Sequence, residues 1–332
     1  MKKFLSIMLV AALAVTALAL VGCDDPEQPQ EGYTFVIPDG APALGAVSVL
    51  NDVPDGIKSV EIVPSNTISQ RAVQSDIAIV PANLAANLYN KGQDVKLVGT
   101  VTHGNLFVLG TTNSVKALAD LEGKLVYSIG QNSVPDYVFQ TLLKEAGLDV
   151  VQGDAAQEGK VTVNYKNDGS EVMQQLVVAK KEGKDVVGVL AEPAVTNAKK
   201  AKGMVELFNL QSLWQAHTGA DATGYAQAVL IVKGDVAKDK AFMDRLIAAL
   251  EGNGAFVAEH SGEVAGIIAK VYPQSSFAAQ TFTAETLERC NCGFTRGAAC
   301  KAEFEAMAEA IAEINAQAIG GKLPDAAFYY EG

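Results

Sequence analysis

The sequence predicts an α/β protein of two doubly wound lobes joined by two crossings, on three observations. From residue 33 onward, short and almost wholly apolar runs alternate with longer amphipathic ones, the pattern of parallel strands covered by helices on both faces. The alternation breaks at Thr102-His103-Gly104-Asn105, where one strand follows another across a short polar stretch that has no room for a helical crossover. A second break, polar and bounded by glycines over 219–224, precedes the apolar run 226–232. The expected division is 33–104 with 223–332 as one lobe and 105–222 as the other.

Taken in order, residues 33–37 read as a strand that Pro38-Asp39-Gly40-Ala41-Pro42 ends before the apolar helical run 43–50. Residues 60–63 and 76–80 are further strands; Ser65-Asn66-Thr67 follows the first, and Pro81-Ala82-Asn83 starts a helix after the second. The run 95–101 is the fourth strand, and 106–110 resumes beyond the break. In the second lobe, strands are expected at 124–129, 161–165, 186–190 and 205–207, with helices at 134–146, 171–181 and 194–202. After the strand 226–232 the chain turns helical, over 240–259 and 301–318, and the apolar tail GGKLPDAAFYY is expected to pack on a lobe.

The stretch DLEGKLVYSIGQNSVPDYVFQTLL carries the most local information. Gly130 ends an apolar strand, Asn132 or Ser133 can cap the helix that Pro135 opens, and Val134, Val138 and Leu142 recur at helical spacing. Gln131, Asn132 and Ser133 would thus offer polar side chains and free backbone N–H groups beside a helix N-terminus, suited to a polar or anionic group. A capped turn that binds nothing has the same local sequence.

Composition narrows the function classes. The formal net charge is −12, and −14 without Lys2 and Lys3, which argues against nucleic-acid binding. Lys2 and Lys3 precede an apolar run over 4–21 that closes on Leu20-Val21-Gly22-Cys23. This reads as a secretory signal over 1–22, with an uncleaved membrane anchor as the alternative. The end of the run resembles a bacterial lipobox, which implies cleavage before Cys23 and a lipid on its sulfur, with 23–32 as a spacer. Cys290, Cys292 and Cys300 cluster near the C-terminus. One disulfide with a leftover thiol, three reduced cysteines, or a zinc site lacking its fourth ligand all remain open; no metal or cofactor is expected. There is no HExxH, no nucleophile elbow and no phosphate loop ending in Gly-Lys-Ser/Thr, so catalysis is not expected.

The order of PDGAPALG, VTHGNLFVLGT, DLEGKLVYSIGQNSVPDYVFQTLLKEAGLD, VLAEPAV and IGGKLPDAAFYY resembles the extracytoplasmic substrate-binding lipoproteins of ABC importers. The branch is the one that includes nitrate, taurine, sulfonate and thiamine-precursor binders. The resemblance covers nearly the whole chain after the leader. It implies a type II periplasmic-binding-protein fold, a Venus flytrap that closes on a small polar metabolite and presents it to an ABC permease. The protein would be a monomer tethered by lipid outside the cytoplasm. A ligand-sensing lipoprotein without transport is the alternative, and a pyrimidine-precursor enzyme a more distant one. Carried over by position, the resemblance places ligand contacts at Asp39, Gly40 and Ala41; Ser65 and Asn66; Asn83; His103 and Asn105; Gln131, Asn132 and Ser133; and Glu192. Asn83, His103 and Glu192 are the expected specificity residues.

Plain readings stand beside these. Asp39 and Asn66 suit turns or caps, His103 suits a hinge, and Glu192 could pair with Lys199. Tyr127, Tyr137 and Tyr225 could form an aromatic wall or belong to the core. No arginine falls in the expected loops, Arg71 being nearest, which weighs against a doubly charged anion. Glu192 favours an amine-bearing or ring N–H ligand, such as a pyrimidine, over a sulfonate.

Overall fold

The computed structural model describes residues 32–219 and 224–332. The expected signal over 1–22, Cys23 with its lipid, the spacer up to residue 31 and the expected boundary at 222/223 lie outside them. No helix of the described residues is long and apolar enough to cross a membrane.

The first sheet begins with β1 (Tyr33–Pro38), which turns at Gly40 into the short helices α1 (Ala41–Leu44) and α2 (Val47–Asn51). Gly40 has φ 107°, backbone that glycine alone adopts readily. Then come β2 (Ile57–Val63), α3 (Ile68–Gln74), β3 (Ile77–Pro81), α4 (Ala82–Asn90) and β4 (Val95–His103). Across Gly104 and Asn105 the chain enters a second sheet with β5 (Leu106–Gly110), β6 (Leu125–Ser128), α5 (Val134–Glu145), β7 (Val150–Gln152) and β8 (Val161–Tyr165). It continues through α6 (Gly169–Lys181), β9 (Val187–Ala191), α7 (Ala194–Lys202), β10 (Val205–Asn209) and α8 (Leu210–Thr218). With β11 (Ala226–Lys233) it returns to the first sheet. The remainder is α9 (Gly234–Lys238), α10 (Lys240–Glu251), α11 (Asn253–Glu259), α12 (Val264–Val271), α13 (Ala284–Arg289), β12 (Thr295–Arg296) and α14 (Gly297–Asn315).

Strand order is β12-β4-β11-β3-β1-β2 in one sheet and β10-β5-β9-β6-β8-β7 in the other. Parallel strands flanked by helices are present in each sheet, as expected, and antiparallel ones complete it. β1, β2 and β3 run parallel, but β11 is antiparallel to both β3 and β4. In the second sheet β5 is antiparallel to β9 and β10. Each strand that follows a crossing is reversed, because a chain leaving one sheet by its carboxyl edge enters the next at the matching edge; β12 is antiparallel to β4 as well. The carboxyl ends of β1 to β4 therefore lie at the same edge of their sheet. Those of β6, β8 and β9 share an edge with the start of β5.

Other departures have local causes. The expected helix over 240–259 breaks at Gly252, where Asn253 turns inward; its amide donates to the Leu44 carbonyl at 3.0 Å and accepts from the Ser48 N–H at 3.0 Å. β7 and α8 were not expected from the sequence; β7 has three residues, none of them buried, and α8 depends on Asn209, whose side chain caps Gln211 N–H at 2.9 Å.

The core is continuous across the two sheets. Val108 and Val126 of the second sheet, Val134, Val138 and Leu142 of α5, and Phe304, Met307 and Ile311 of α14 belong to one buried cluster with Val80 and Val229 of the first sheet. α14 is thus a spine on which both sheets rest. Phe107 and Leu109, alternating with Leu106 and Val108, face the other way into a separate cluster with Val172, Leu176 and Val195. The tail packs as expected: Phe328 is wholly buried, 5.4 Å from the ring of Phe304.

Candidate functional site

The strand directions set the site. The carboxyl edges of the two sheets meet where β4 passes into β5, and the loops at those edges touch directly. Asn83, on the first turn of α4, donates to the Asn132 carbonyl at 3.3 Å, and Asn291 donates to the Gly104 carbonyl at 3.1 Å. Ligands of open α/β sheets bind at such edges.

All the expected positions lie at these edges, but they divide by what their side chains do. Asp39 accepts from Ser275 Oγ at 2.5 Å and from Ser276 N–H at 3.0 Å, so it organises the 275–276 turn. Ser65 donates to the Asp39 carbonyl at 2.7 Å, and Asn66 beside it is exposed. Gly40 and Ala41 begin a helix of only four residues, and the Ala41 carbonyl accepts from Gly45 N–H at 3.2 Å. His103 Nε2 lies 3.0 Å from Thr295 Oγ1 and 3.2 Å from Glu303 Oε2, so its ring is engaged by β12 and α14. Gln131 is exposed and donates to Gln152 at 3.0 Å.

The loop before α5 differs most from expectation. Ser133 occupies the N-cap position without a side-chain cap bond. Asn132 sits in left-handed backbone at φ 57°, and its N–H donates to Asp136 Oδ2 at 2.8 Å. Buried Asp136 also accepts from Gln140 Nε2 at 2.6 Å and from Tyr165 Oη at 2.5 Å. Burial, with Asp136 beside it, pushes the Tyr165 phenol far above its ordinary range, so it stays protonated as a donor. A carboxylate in the first turn is what a helix N-terminus attracts. Here the chain supplies that anion itself.

A double contrast follows. Ser133→Ala should change stability by no more than about 0.5 kcal/mol, since no cap bond is lost. Asp136→Ala should cost about 1–3 kcal/mol by stripping acceptors from buried donors. Urea unfolding of the two variants measures both.

Glu192 was expected to present a carboxylate to a ligand or to pair with a lysine; its actual partner is an arginine. The side chain is wholly buried, accepts from Thr196 N–H and Oγ1 at 3.0 Å each, and receives Arg289 Nε at 2.6 Å. Arg289 Nη2 reaches Glu206 at 2.9 Å, and the guanidinium lies 4.4 Å from the centre of the Phe107 ring. Burial opposes its charge, but Glu192 and Glu206 outweigh that and hold its pKa above the ordinary value. Lys199 joins Glu206 at 2.6 Å, so the two carboxylates face two cations. Sequence reading placed no arginine near the site because Arg289 lies 97 residues from Glu192. Arg71, the nearest in sequence, instead pairs with Glu61.

Two amides stand out as unmet. Asn105 is 1% exposed, and neither Oδ1 nor Nδ2 has a partner among the described residues. Its carbonyl accepts from Glu192 N–H at 3.0 Å. Asn83 is 8% exposed, and its Oδ1 likewise has no partner there. A cavity of about 300 Å³ opens beside Asn83 and Asn132, lined also by Asn87, Tyr137, Asn315 and Gln317; none of its lining side chains is charged. A larger hollow, about 810 Å³, lies at the far edge of the first sheet around Asp94, Gly234 and Tyr330, and none of the expected residues lines it.

The remaining open questions resolve structurally. Tyr137 and Tyr225 are core residues, whereas Tyr127 is partly buried with Lys166 Nζ 5.2 Å from its ring centre. Tyr225 packs on Gly104, where an added Cβ would come within 2.3 Å of its ring. Cys290, Cys292 and Cys300 are free thiols. Burial pushes Cys292 up to about 12 and Cys300 up to about 11, which keeps both unreactive at neutral pH.

Comparisons with known proteins agree with this architecture. Residues 59–174 match the family model described as NMT1/THI5 like. No curated protein matches the chain. Among solved structures, an ABC transporter protein from Parabacteroides distasonis is 23% identical, with a TM-score of 0.71 over 90% of this chain and 99% of that one. The periplasmic aliphatic sulphonate binding protein SsuA from Escherichia coli is 15% identical, with a TM-score of 0.65 over 91% and 98%. The alkanesulfonate-binding protein SsuA from Xanthomonas axonopodis pv. citri, bound to MOPS, is 13% identical, with a TM-score of 0.56 over 89% and 96%. The chain therefore has the two-sheet α/β fold of type II periplasmic binding proteins, and its residues 59–174 match the NMT1/THI5-like model.

Proposed function

We propose that this protein is an extracytoplasmic, lipid-anchored solute-binding protein that closes two lobes on a small metabolite and presents it to an ABC permease. The lobes are the first sheet with its helices and the second sheet with its own, and the ligand sits between their facing carboxyl edges. One observation carries the reading: Asn105, a wholly buried side chain at the crossing, has both amide atoms without a partner among the described residues. Leaving such a group unmet costs about 1–3 kcal/mol, a cost that a ligand hydrogen bond removes.

Charge accounting selects the ligand class. Asp39, Glu192, Glu206, Arg289, Lys199 and His103 all have partners within the chain. The N-terminus of α5 is already matched by Asp136. Among the described residues the buried amides of Asn105 and Asn83 keep unmet atoms, and an amide offers a donor beside an acceptor. This supports an uncharged ligand with an N–H next to a C=O or ring nitrogen, such as a pyrimidine, over the sulfonates named for the two SsuA proteins. The amine-bearing class loses its support, since Glu192 is occupied.

A thermal-shift screen of the purified protein against pyrimidines, primary amines and sulfonates tests this. A pyrimidine at a hundred times its dissociation constant should stabilise the fold by about 2.7 kcal/mol. Stabilisation by sulfonates alone would overturn the ligand class, and no shift with any compound would overturn the binding reading. Loss of cellular uptake on deletion separates transport from sensing.

A further inference from the structure

We propose that Arg289 is a latch that holds the two lobes together before any ligand arrives; this rests on the two-lobe reading above.

Arg289 is fixed to the first lobe. It ends α13, whose N-terminus is capped by Thr283 through Thr286 N–H at 3.2 Å. Leu287 and Cys290 on either side of it are buried in the first sheet's own cluster. Its three partners all belong to the second sheet: Glu192 just past β9, Glu206 on β10 and Phe107 on β5. No other cation makes this span with two carboxylates and a ring at once among the described residues.

The position of the contact gives it leverage. The apolar seam between α14 and α5 lies on the face of the second sheet that carries Leu106 and Val108. Arg289 rests on Phe107, on the opposite face. A rotation about the seam keeps the apolar contact and separates Arg289 from all three partners. Opening would break the Arg289–Glu192 pair, in which the Glu192 side chain has no exposure, and leave that carboxylate with the Thr196 bonds. Removing one partner of a buried ion pair is far costlier than breaking an exposed one. Lys199 steadies Glu206 within the second lobe at 2.6 Å, so the receiving acid is already placed. Asn197, donating to Gln280 at 3.2 Å, spans the lobes beside it.

Small-angle X-ray scattering of the ligand-free full protein tests the latch. Wild type should give the smaller radius of gyration, R289M a larger one, and E206Q an intermediate one, with near-ultraviolet circular dichroism confirming native packing. Superimposable curves for the three proteins would overturn the proposal. Should R289M lose native packing, E206Q carries the test alone, since Glu206 is partly exposed and its loss leaves the Glu192 pair in place. No ligand enters this measurement. A failed screen therefore defeats the binding reading and leaves the scattering result intact, while unchanged scattering defeats the latch alone.

Discussion

Asn105→Leu should make the protein more stable and weaken its hold on its ligand. Leucine has the branching of asparagine, so it can fill the same site while removing two polar atoms that are buried without partners among the described residues. Relief of that penalty is worth about 1–3 kcal/mol, partly offset by the slightly larger side chain. The melting temperature of the ligand-free protein should rise by a few degrees. Affinity should fall roughly 10-fold to 100-fold, because the ligand's own polar edge would then be buried unmet. Calorimetric melting and titration of the same preparation measure both. A variant that melts lower and binds normally would return Asn105 to a purely structural role and remove the observation on which the binding reading stands.

Phe304→Ala should have the largest effect on stability. Phe304 is wholly buried on α14, with its ring 5.4 Å from Phe328 and 6.2 Å from Tyr329. It belongs to the cluster that joins both sheets. Truncating a buried phenylalanine costs about 3–5 kcal/mol, the lost transfer free energy plus the cavity left behind. In a chain of this size that corresponds to a fall in melting temperature of about 5–8 °C. Val178, 52% exposed on α6, is the control and should tolerate alanine within about 0.5 kcal/mol. Equal losses at the two positions would show that α14 is not the spine inferred from its packing.

Some of this was written in local sequence. The apolar strands, the turns at Gly40 and Gly130 and the polar break at 102–105 are patterns over a few residues, and hydrophobic periodicity reports burial directly. The same source misled at the loop before α5. The residues that suit a ligand-binding helix N-terminus also suit a helix that supplies its own anion, and Asp136 reads as an ordinary first-turn acid until Tyr165 and Gln140 are seen donating to it. The expected single helix over 240–259 failed for a similar reason, since the break is driven by Asn253 reaching Leu44 and Ser48.

By itself, the sequence determined the α/β class, the two passages between sheets and the loops that gather at one edge, because each follows from the preferences of neighbouring residues. Tertiary structure decided which side chains at that edge find partners within the chain. His103 went to Glu303, Glu192 to Arg289 and Asp39 to Ser275, whereas the amides of Asn105 and Asn83 kept unmet atoms among the described residues. The physical reason is that a polar side chain's availability depends on who else is near. Partners 97, 200 or 236 residues away are brought near only by the folded chain.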